Sequence, residues 1–197
     1  MKREIVVCKK RGGSEVANRH EFKYHPNPIE TGAFKEGETA VCDSCGKGTK
    51  IYYTGPFYAV EEISALCPFC ILSGDAAEKF DGLFQDSYSI ERGHPSDLSS
   101  FDNEDAIKEV TTKTPGYQSW QQGVWLSHCN DLCAFIGYVG WDNIKDKLDG
   151  FVDLEADIGG TENMAYIKNN LVNGGSMQGY LFQCLHCKKY RLHLDYD

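Results

Sequence analysis

Paired cysteines constrain the fold of this 197-residue chain more than any other feature of its sequence. Cys42 and Cys45 form one C-x2-C pair, and Cys67 and Cys70 form another after 21 intervening residues. A tight turn at each pair aims two sulfurs at one tetrahedral metal ion, as in a zinc ribbon. The alternatives are redox-active pairs or chance core thiols, but a thioredoxin-like site needs one pair at the start of a helix. The spacing therefore predicts a structural Zn2+ site.

Four further cysteines form a second candidate Zn2+ site. They are Cys129, Cys133, Cys184 and Cys187. In a helix, Cys129 and Cys133 would share one face because they are four residues apart. His128 and His186 are substitute ligands, since imidazole binds zinc as thiolate does. The alternative is that Cys129 and Cys133 are buried apolar residues of that helix.

Sites closed by four protein ligands argue against zinc catalysis. A catalytic zinc keeps one position open for water and usually has histidine or carboxylate ligands. The sequence contains no HExxH, no deaminase-type zinc motif and no GxSxG nucleophile elbow. We therefore expect no enzymatic activity. The remaining alternative is an enzyme of unfamiliar type that uses the aromatic segments as a pocket.

The patterns between the cysteines predict an α+β fold in three parts. Residues 1–21 are expected to form a basic N-terminal arm that contains Cys8, an ordinary thiol. Residues 22–85 are expected to form a zinc-ribbon-like β module packed with short helices. Residues 86–197 are expected to form an α+β part with the second metal site, which ends in a β-hairpin carrying the second cysteine knuckle. The alternative is one continuous domain over 22–197.

Local patterns place the individual elements. Strands are expected in IYYTGPFYA, PGYQSWQQGVW, YLFQC and YRLHL because these segments are rich in β-branched and aromatic residues. Helices are expected at 60–66, 73–80 and 102–112, in pieces over 130–148, and over 161–171. The aromatic residues near the cysteines are expected to build the small core. His25, beside proline-rich sequence, is expected at the surface.

Charge and hydropathy narrow the class of partner. The chain has 29 acidic and 20 basic residues, a formal net charge of −9. It is therefore not expected to coat nucleic acid through many phosphate contacts. Acids concentrate in 75–109 and 142–162, here called the acidic segments. Such runs are most often solvated surfaces, but they also suit recruitment of a basic protein. Without a membrane-spanning apolar run or a secretory signal, we expect a cytoplasmic protein that does not bind membranes.

Four longer stretches resemble the bacterial CbrC family. They are FKYHPNPIETGAF, VCDSCGKGTKIYYTGPFYAVEEISALCPFCILSGDAAEKFDGLFQD, TPGYQSWQQGVWLSHCNDLCAF and FQCLHCKKYRLHLD. The resemblance extends from about Phe22 to the C-terminus, and the eight paired cysteines stand where the paired cysteines of that family stand. Residues 1–21 lie outside it.

The resemblance implies a small cytoplasmic protein of a family associated with colicin tolerance, whose members also look like immunity proteins found with toxin systems. It therefore predicts a zinc-binding protein that protects against a toxin by binding another macromolecule, such as a basic toxin domain. The alternative is a structural-zinc interaction or regulatory module unrelated to toxins.

Overall fold

The computed structural model describes residues 22–93 and 101–197. The chain divides into two compact units. Within the described residues, the N-terminal unit comprises 22–86 and Lys108–Tyr117, and the C-terminal unit comprises 87–93, 101–107 and Gln118–Asp197. The predicted basic arm at 1–21, including Cys8, lies outside the described residues.

The N-terminal unit is built on an antiparallel hairpin and two short helices. Its elements are β1 (Phe34–Val41), β2 (Gly48–Tyr53), α1 (Pro68–Ser73) and α2 (Asp75–Phe80). Phe34 pairs with Tyr53 and Val41 with Gly48, so the first cysteine pair lies at the turn of the hairpin. Gly74 separates the two helices at a φ of 87°, a left-handed conformation that favours glycine. The predicted helix over 73–80 is thus confirmed as α2, which starts two residues later.

The helix predicted over 60–66 is wrong. Leu66 instead extends the hairpin, because its N–H donates to the Tyr53 carbonyl at 3.1 Å and its carbonyl accepts from the Tyr53 N–H at 2.9 Å. This backbone pairing places the second cysteine pair beside the first. The intervening segment therefore serves as a connection rather than as a helix.

Aromatic rings form the interior of the N-terminal unit. Tyr53 stacks edge-on against Phe34 and Phe84, with ring centroids 5.9 and 5.5 Å away. Its hydroxyl donates to the Pro56 carbonyl at 2.7 Å, which satisfies the polar end of the buried ring. The core predicted from the aromatic residues is confirmed for Tyr53, whereas Tyr58 is exposed.

A three-stranded antiparallel sheet, in the order β5-β6-β7, forms the centre of the C-terminal unit. Its strands are β5 (Ala134–Val139), β6 (Met177–Gln183) and β7 (Tyr190–Tyr196), and a separate small hairpin consists of β3 (Ser127–His128) and β4 (Asp131–Leu132). The predicted C-terminal hairpin is confirmed as β6 and β7, whose register runs from Met177 with Tyr196 to Gln183 with Tyr190.

Short helices complete the described fold. They are α3 (Glu104–Lys113), α4 (Trp141–Ile144), α5 (Leu154–Asp157) and α6 (Met164–Asn170), with 3-10 turns at Ser87–Ser89, Lys145–Gly150 and Thr161–Asn163. The helices predicted at 102–112 and 161–171 are confirmed as α3 and as the turn that continues into α6. Ile144, Phe151, Leu154 and Ile167 pack with residues of the sheet in one core. The predicted α+β class, with cysteine groups in the N-terminal part and at the C-terminal hairpin, is confirmed.

The prediction of helical pieces from residue 130 is wrong as far as Val139. Asp131–Leu132 form β4, and Ala134–Val139 pair with β6 as strand β5, for example Phe135 with Phe182. The apolar and aromatic residues of AFIGYV pack well on a half-buried sheet, and the neighbouring strand supplies the backbone partners. Helix begins only after Gly140, at Trp141.

His25 is buried, contrary to the predicted surface position. Its Nδ1 lies 2.8 Å from the Pro115 carbonyl oxygen and its Nε2 lies 2.7 Å from the Thr31 hydroxyl. Because a carbonyl only accepts, Nδ1 carries the proton and Nε2 accepts from Thr31. Burial lowers the pKa of His25 to about 4, although the hydrogen bond to Pro115 acts in the opposite direction.

The lowered pKa of His25 predicts that stability falls as the solution becomes acidic. An unfolded histidine titrates near pH 6.5, so between pH 6.5 and 4 the unfolded chain binds a proton that the folded chain does not. His25→Asn cannot bind that proton but keeps an N–H donor towards Pro115. Urea unfolding with excess zinc should show the wild-type free energy of unfolding falling by about 2 kcal/mol more than that of the variant between pH 7 and 5. Parallel pH profiles would contradict this prediction.

Candidate metal centres

The first cysteine group brings together the sulfurs of Cys42, Cys45, Cys67 and Cys70. These four sulfurs lie within 4.8 Å of one another. The Cys45 and Cys67 sulfurs are 4.0 Å apart. A tetrahedron with Zn–S bonds of about 2.3 Å has edges of about 3.8 Å, so the spacing suits a zinc ion. The first group can therefore hold a metal ion.

Two local turns aim these sulfurs. After β1, the Gly46 N–H donates to the Cys42 carbonyl at 2.8 Å and the Cys42 N–H donates to the Lys47 carbonyl at 2.9 Å. Gly46 has a φ of 69°, which glycine adopts without a steric penalty. At the second pair, Cys67 is the N-cap of α1, and its carbonyl accepts from the Cys70 N–H at 3.1 Å. The first turn is a hairpin knuckle and the second is the start of a helix.

Asp43 joins the two halves of the first group. Its carboxylate accepts from the N–H groups of Ser64 and Ala65 at 2.7 and 2.8 Å. Lys79 on α2 donates to the carbonyls of Asp43 and Ser44 at 2.8 and 2.9 Å. Sequence reasoning missed Lys79, whose partners are more than thirty residues away. Both residues fix the knuckle against the segments that carry the other two cysteines.

Hydrogen bonding inside the first group prepares it for a cation. The hydrogen bond with the Cys67 thiol holds the pKa of Cys42 far below its usual value, whereas the hydrogen bond with Cys42 raises the pKa of Cys70 to about 12. The Cys67 backbone N–H also donates to the Cys42 sulfur at 3.2 Å. These shifts favour a thiolate at Cys42 beside a protonated Cys70, and a bound divalent cation would displace the Cys70 proton.

The second group combines one histidine with three cysteines. Its donor atoms belong to His128, Cys129, Cys184 and Cys187 and lie within 4.8 Å of one another. His128 Nδ1 lies 3.2 Å from the Cys129 sulfur and 3.3 Å from the Cys187 sulfur. Three thiolates and one imidazole are a common ligand set for tetrahedral zinc, so this group can also hold a metal ion.

Cys133 lies outside the second group, and His128 is present in it. The segment is a hairpin rather than the predicted helix: Cys129 and Asn130 form its two-residue turn, with φ values of 55° and 54°. Cys133 follows this hairpin, is fully buried, and donates its N–H to the Leu126 carbonyl at 2.9 Å. Burial raises the pKa of the Cys133 thiol. Its environment is that of a buried apolar side chain.

The C-terminal knuckle repeats the backbone pattern of the first. The Lys188 N–H donates to the Cys184 carbonyl at 3.1 Å, and the Cys184 N–H donates to the Lys189 carbonyl at 2.9 Å. Lys188, with a φ of 63°, occupies the position that Gly46 holds in the first knuckle. His186 lies outside the second group, and its Nε2 is 3.0 Å from the Asp131 carboxylate.

A buried arginine holds the segments that carry the second group. Arg191 on β7 binds Glu91 through both terminal nitrogens, at 2.8 and 2.9 Å, and donates to the Ser127 carbonyl at 2.6 Å. It also binds Asp157 at 2.8 and 2.9 Å. Ser127 precedes His128 of the second group, so the guanidinium ties β7 to the hairpin that carries this histidine. Sequence reasoning missed Arg191 because its partners are 34 to 100 residues away.

The acidic segments divide into structural and solvated residues. Glu91 and Asp157 bind Arg191, and Asp153 accepts from the Ala156 N–H at the start of α5. Other carboxylates are exposed: Asp102, Glu104, Asp105, Asp146, Asp149 and Glu155. The exposed residues therefore form the part of the acidic segments that is available to a partner.

The described helices bear on the predicted absence of membrane binding. Within residues 22–93 and 101–197, no helix combines the length and the apolar character needed to cross a bilayer.

Comparison with known proteins identifies relatives over nearly the whole chain. Two mycobacterial proteins, UPF0167 protein Mb2317 of Mycobacterium bovis and UPF0167 protein MT2352 of Mycobacterium tuberculosis, are each 36% identical over 182 residues, which cover 89% of this chain and 92% of theirs. UPF0167 protein PA1536 of Pseudomonas aeruginosa is also 36% identical over 182 residues, covering 89% of this chain and 96% of its own. No solved structure matches the chain.

The family comparison covers both cysteine groups. Residues 20–196 match the family described as "Uncharacterised protein family (UPF0167)". This range includes every residue of the two groups and the Arg191 network. The chain therefore belongs to the UPF0167 family.

Proposed function

We propose that this chain is a cytoplasmic protein that binds two structural zinc ions and acts by binding another macromolecule, in the toxin-tolerance role implied by its resemblance to the CbrC family. The observation that carries the proposal is the pair of four-donor groups. Each offers four side-chain donors to one ion, so that all four coordination positions are filled and none remains for a reacting water.

The donor chemistry supports zinc. Thiolate is a soft ligand that suits zinc, iron and monovalent copper, whereas calcium and magnesium prefer oxygen. The imidazole of His128 in the second group favours tetrahedral zinc over an all-sulfur iron site. With all coordination positions filled, the ions would stabilise turns rather than activate water, which supports a binding role over an enzymatic one.

The charge of the described surface supports a basic partner. Exposed acids at Asp102, Glu104 and Asp105 lie together in sequence at the start of α3, and a second set lies in 142–162. Opposite charges accelerate association and disfavour partners of like charge such as nucleic acid. A cationic toxin domain is the partner that fits both this surface and the CbrC resemblance.

A survival experiment tests this function. Bacteria that produce the wild-type chain are expected to tolerate a higher concentration of at least one member of a colicin panel than bacteria that lack it. One triple variant replaces Asp102, Glu104 and Asp105 with lysine, and a second replaces Asp146, Asp149 and Glu155. Both are expected to reduce tolerance, because reversed charge slows association with a basic toxin. Asp153 and Asp157 are left unchanged because they stabilise the fold.

A matched control separates charge from position. Replacing Glu36, Glu38 and Glu61 with lysine changes the net charge equally at exposed positions outside the acidic segments, and it should leave tolerance intact.

Elemental analysis of the purified protein should find two zinc ions per chain. Two bound zinc ions without protection against any colicin would contradict the toxin role and favour a regulatory module. A chain purified without metal would contradict the zinc sites themselves.

A further inference from the structure

The two cysteine groups differ sharply in their exposure to solvent. In the first group Cys42, Cys67 and Cys70 are buried within the core of the N-terminal unit, and Cys45 packs against it. In the second group Cys129 and Cys187 are exposed, whereas Cys184 is buried. A reagent in solution can therefore reach two sulfurs of the second group.

The two exposed sulfurs are also close enough to react with each other. They belong to one group of donor atoms within 4.8 Å, and both contact His128 Nδ1. Cys129 lies in the two-residue turn between β3 and β4, and Cys187 lies in the C-terminal knuckle. Each sulfur is therefore carried by a turn, rather than by the middle of a strand that pairs on both sides.

We propose that Cys129 and Cys187 are an oxidation site at which a peroxide forms a disulfide and releases the zinc ion of the second group. This inference rests on the proposed zinc binding. Metal-bound thiolates are nucleophiles, and exposed thiolates beside a second cysteine are the ones that oxidise selectively. The buried sulfurs of the first group are protected from the same reagent.

The reaction balances with hydrogen peroxide as the oxidant. The Cys187 thiolate attacks one peroxide oxygen, an S–O bond forms, the O–O bond breaks, and hydroxide leaves and takes a proton to become water. The Cys129 thiolate then attacks the sulfur of the resulting sulfenic acid. An S–S bond forms, the S–O bond breaks, and the second oxygen leaves as water after protonation. Two thiolates lose two electrons, the peroxide gains them, and the zinc ion departs because only His128 and Cys184 remain as ligands.

Zinc release would act on one defined part of the fold. The second group joins the small hairpin of β3 and β4 to the knuckle between β6 and β7. Without the metal, the disulfide retains a single link between the two turns, and His128 and Cys184 lose the ion that they both bind. The expected result is a reversible change confined to the second group, which a thiol reductant and added zinc restore.

The experiment uses the zinc-loaded full-length protein and hydrogen peroxide. A zinc-binding dye is expected to detect one equivalent of released zinc while the second equivalent stays bound. Peptide mapping by mass spectrometry should find Cys129 linked to Cys187. Cys187→His replaces one thiolate ligand with an imidazole, so peroxide can no longer link residues 129 and 187 and should release zinc more slowly from this variant than from the wild type. Cys133→Ala removes a nearby buried cysteine outside the group and should behave like the wild type.

The outcomes separate this inference from the proposed zinc binding. A protein that contains no zinc before oxidation contradicts the zinc sites. A protein that contains two zinc ions but releases none or both with peroxide contradicts the oxidation site alone. A disulfide between Cys184 and Cys187 would also overturn it, because the reactive pair would then include the buried sulfur.

Discussion

Cys42→Ser is expected to unfold the N-terminal unit at 25 °C and to remove one equivalent of zinc. Structural zinc contributes roughly 10–16 kcal/mol that is coupled to folding, which is comparable to the total stability of a domain of about 5–15 kcal/mol. Serine is a poor zinc ligand, and three remaining sulfurs leave the tetrahedral site incomplete. The Cys42 sulfur also accepts the backbone N–H of Cys67, so the substitution disturbs the connection between the two knuckles.

Hydrogen exchange and elemental analysis check this result. Amides of Phe34–Val41 and Gly48–Tyr53 should lose their protection, and the zinc content should fall from two ions to one. Cys133→Ala is the matched control, since it truncates an equally buried cysteine outside both groups. It should cost only about 1 kcal/mol as a small core truncation. Full zinc content and unchanged protection in Cys42→Ser would contradict the first metal site.

Arg191→Met is expected to destabilise the C-terminal unit by about 3–5 kcal/mol, the usual cost of removing one partner from a buried ion pair. The guanidinium is 2% exposed, and the Asp157 side chain is 1% exposed. Methionine would fill the volume but leave both carboxylates without their cation. Burial opposes the charge of Arg191, but hydrogen bonds with Glu91 and the charge of Asp157 raise its pKa above the usual value. The residue therefore stays protonated.

Tryptophan fluorescence reports this loss directly. Trp125 is fully buried, and its carbonyl accepts from the Glu91 N–H at 2.9 Å beside the arginine. The midpoint of urea unfolding should shift to lower urea concentration for Arg191→Met. The shift should be smaller for Arg191→Lys, because a single ammonium replaces only part of the hydrogen bonds that the guanidinium makes. Adding Glu91→Gln and Asp157→Asn to Arg191→Met should recover stability, because the buried charges are then removed together. A triple variant less stable than Arg191→Met would refute this electrostatic account.

Cysteine spacing was informative where a tight turn alone sets the geometry. Each C-x2-C pair needs only its own few residues to aim two sulfurs, so Cys42, Cys45, Cys184 and Cys187 were recognisable without any tertiary information. The spacing of Cys129 and Cys133 was misleading because four residues also suit one face of a helix. Asn130 was the available signal for a turn, since asparagine tolerates a left-handed conformation.

Long-range partners explain what the sequence could not predict. Arg191 is one of 20 basic residues, and nothing in its neighbours distinguishes it from a solvated side chain. Its burial depends on Glu91, Ser127 and Asp157, which the fold brings together from separate segments. His25 was misplaced for the same reason, because Pro115 lies 90 residues away. Local patterns identify elements and turns, but the partners of a buried polar group come from the tertiary fold.

The distribution of the two groups along the chain sets an order of events on the ribosome. Every segment of the N-terminal unit has been synthesised once Tyr117 is made, whereas the second group lacks a ligand until Cys187 is added. At about 5–20 residues per second, the intervening stretch takes roughly 4–14 s to translate. During that interval the nascent chain can capture its first ion but cannot complete the second ligand set. Translation arrested between these points would therefore yield a chain that carries a single metal ion.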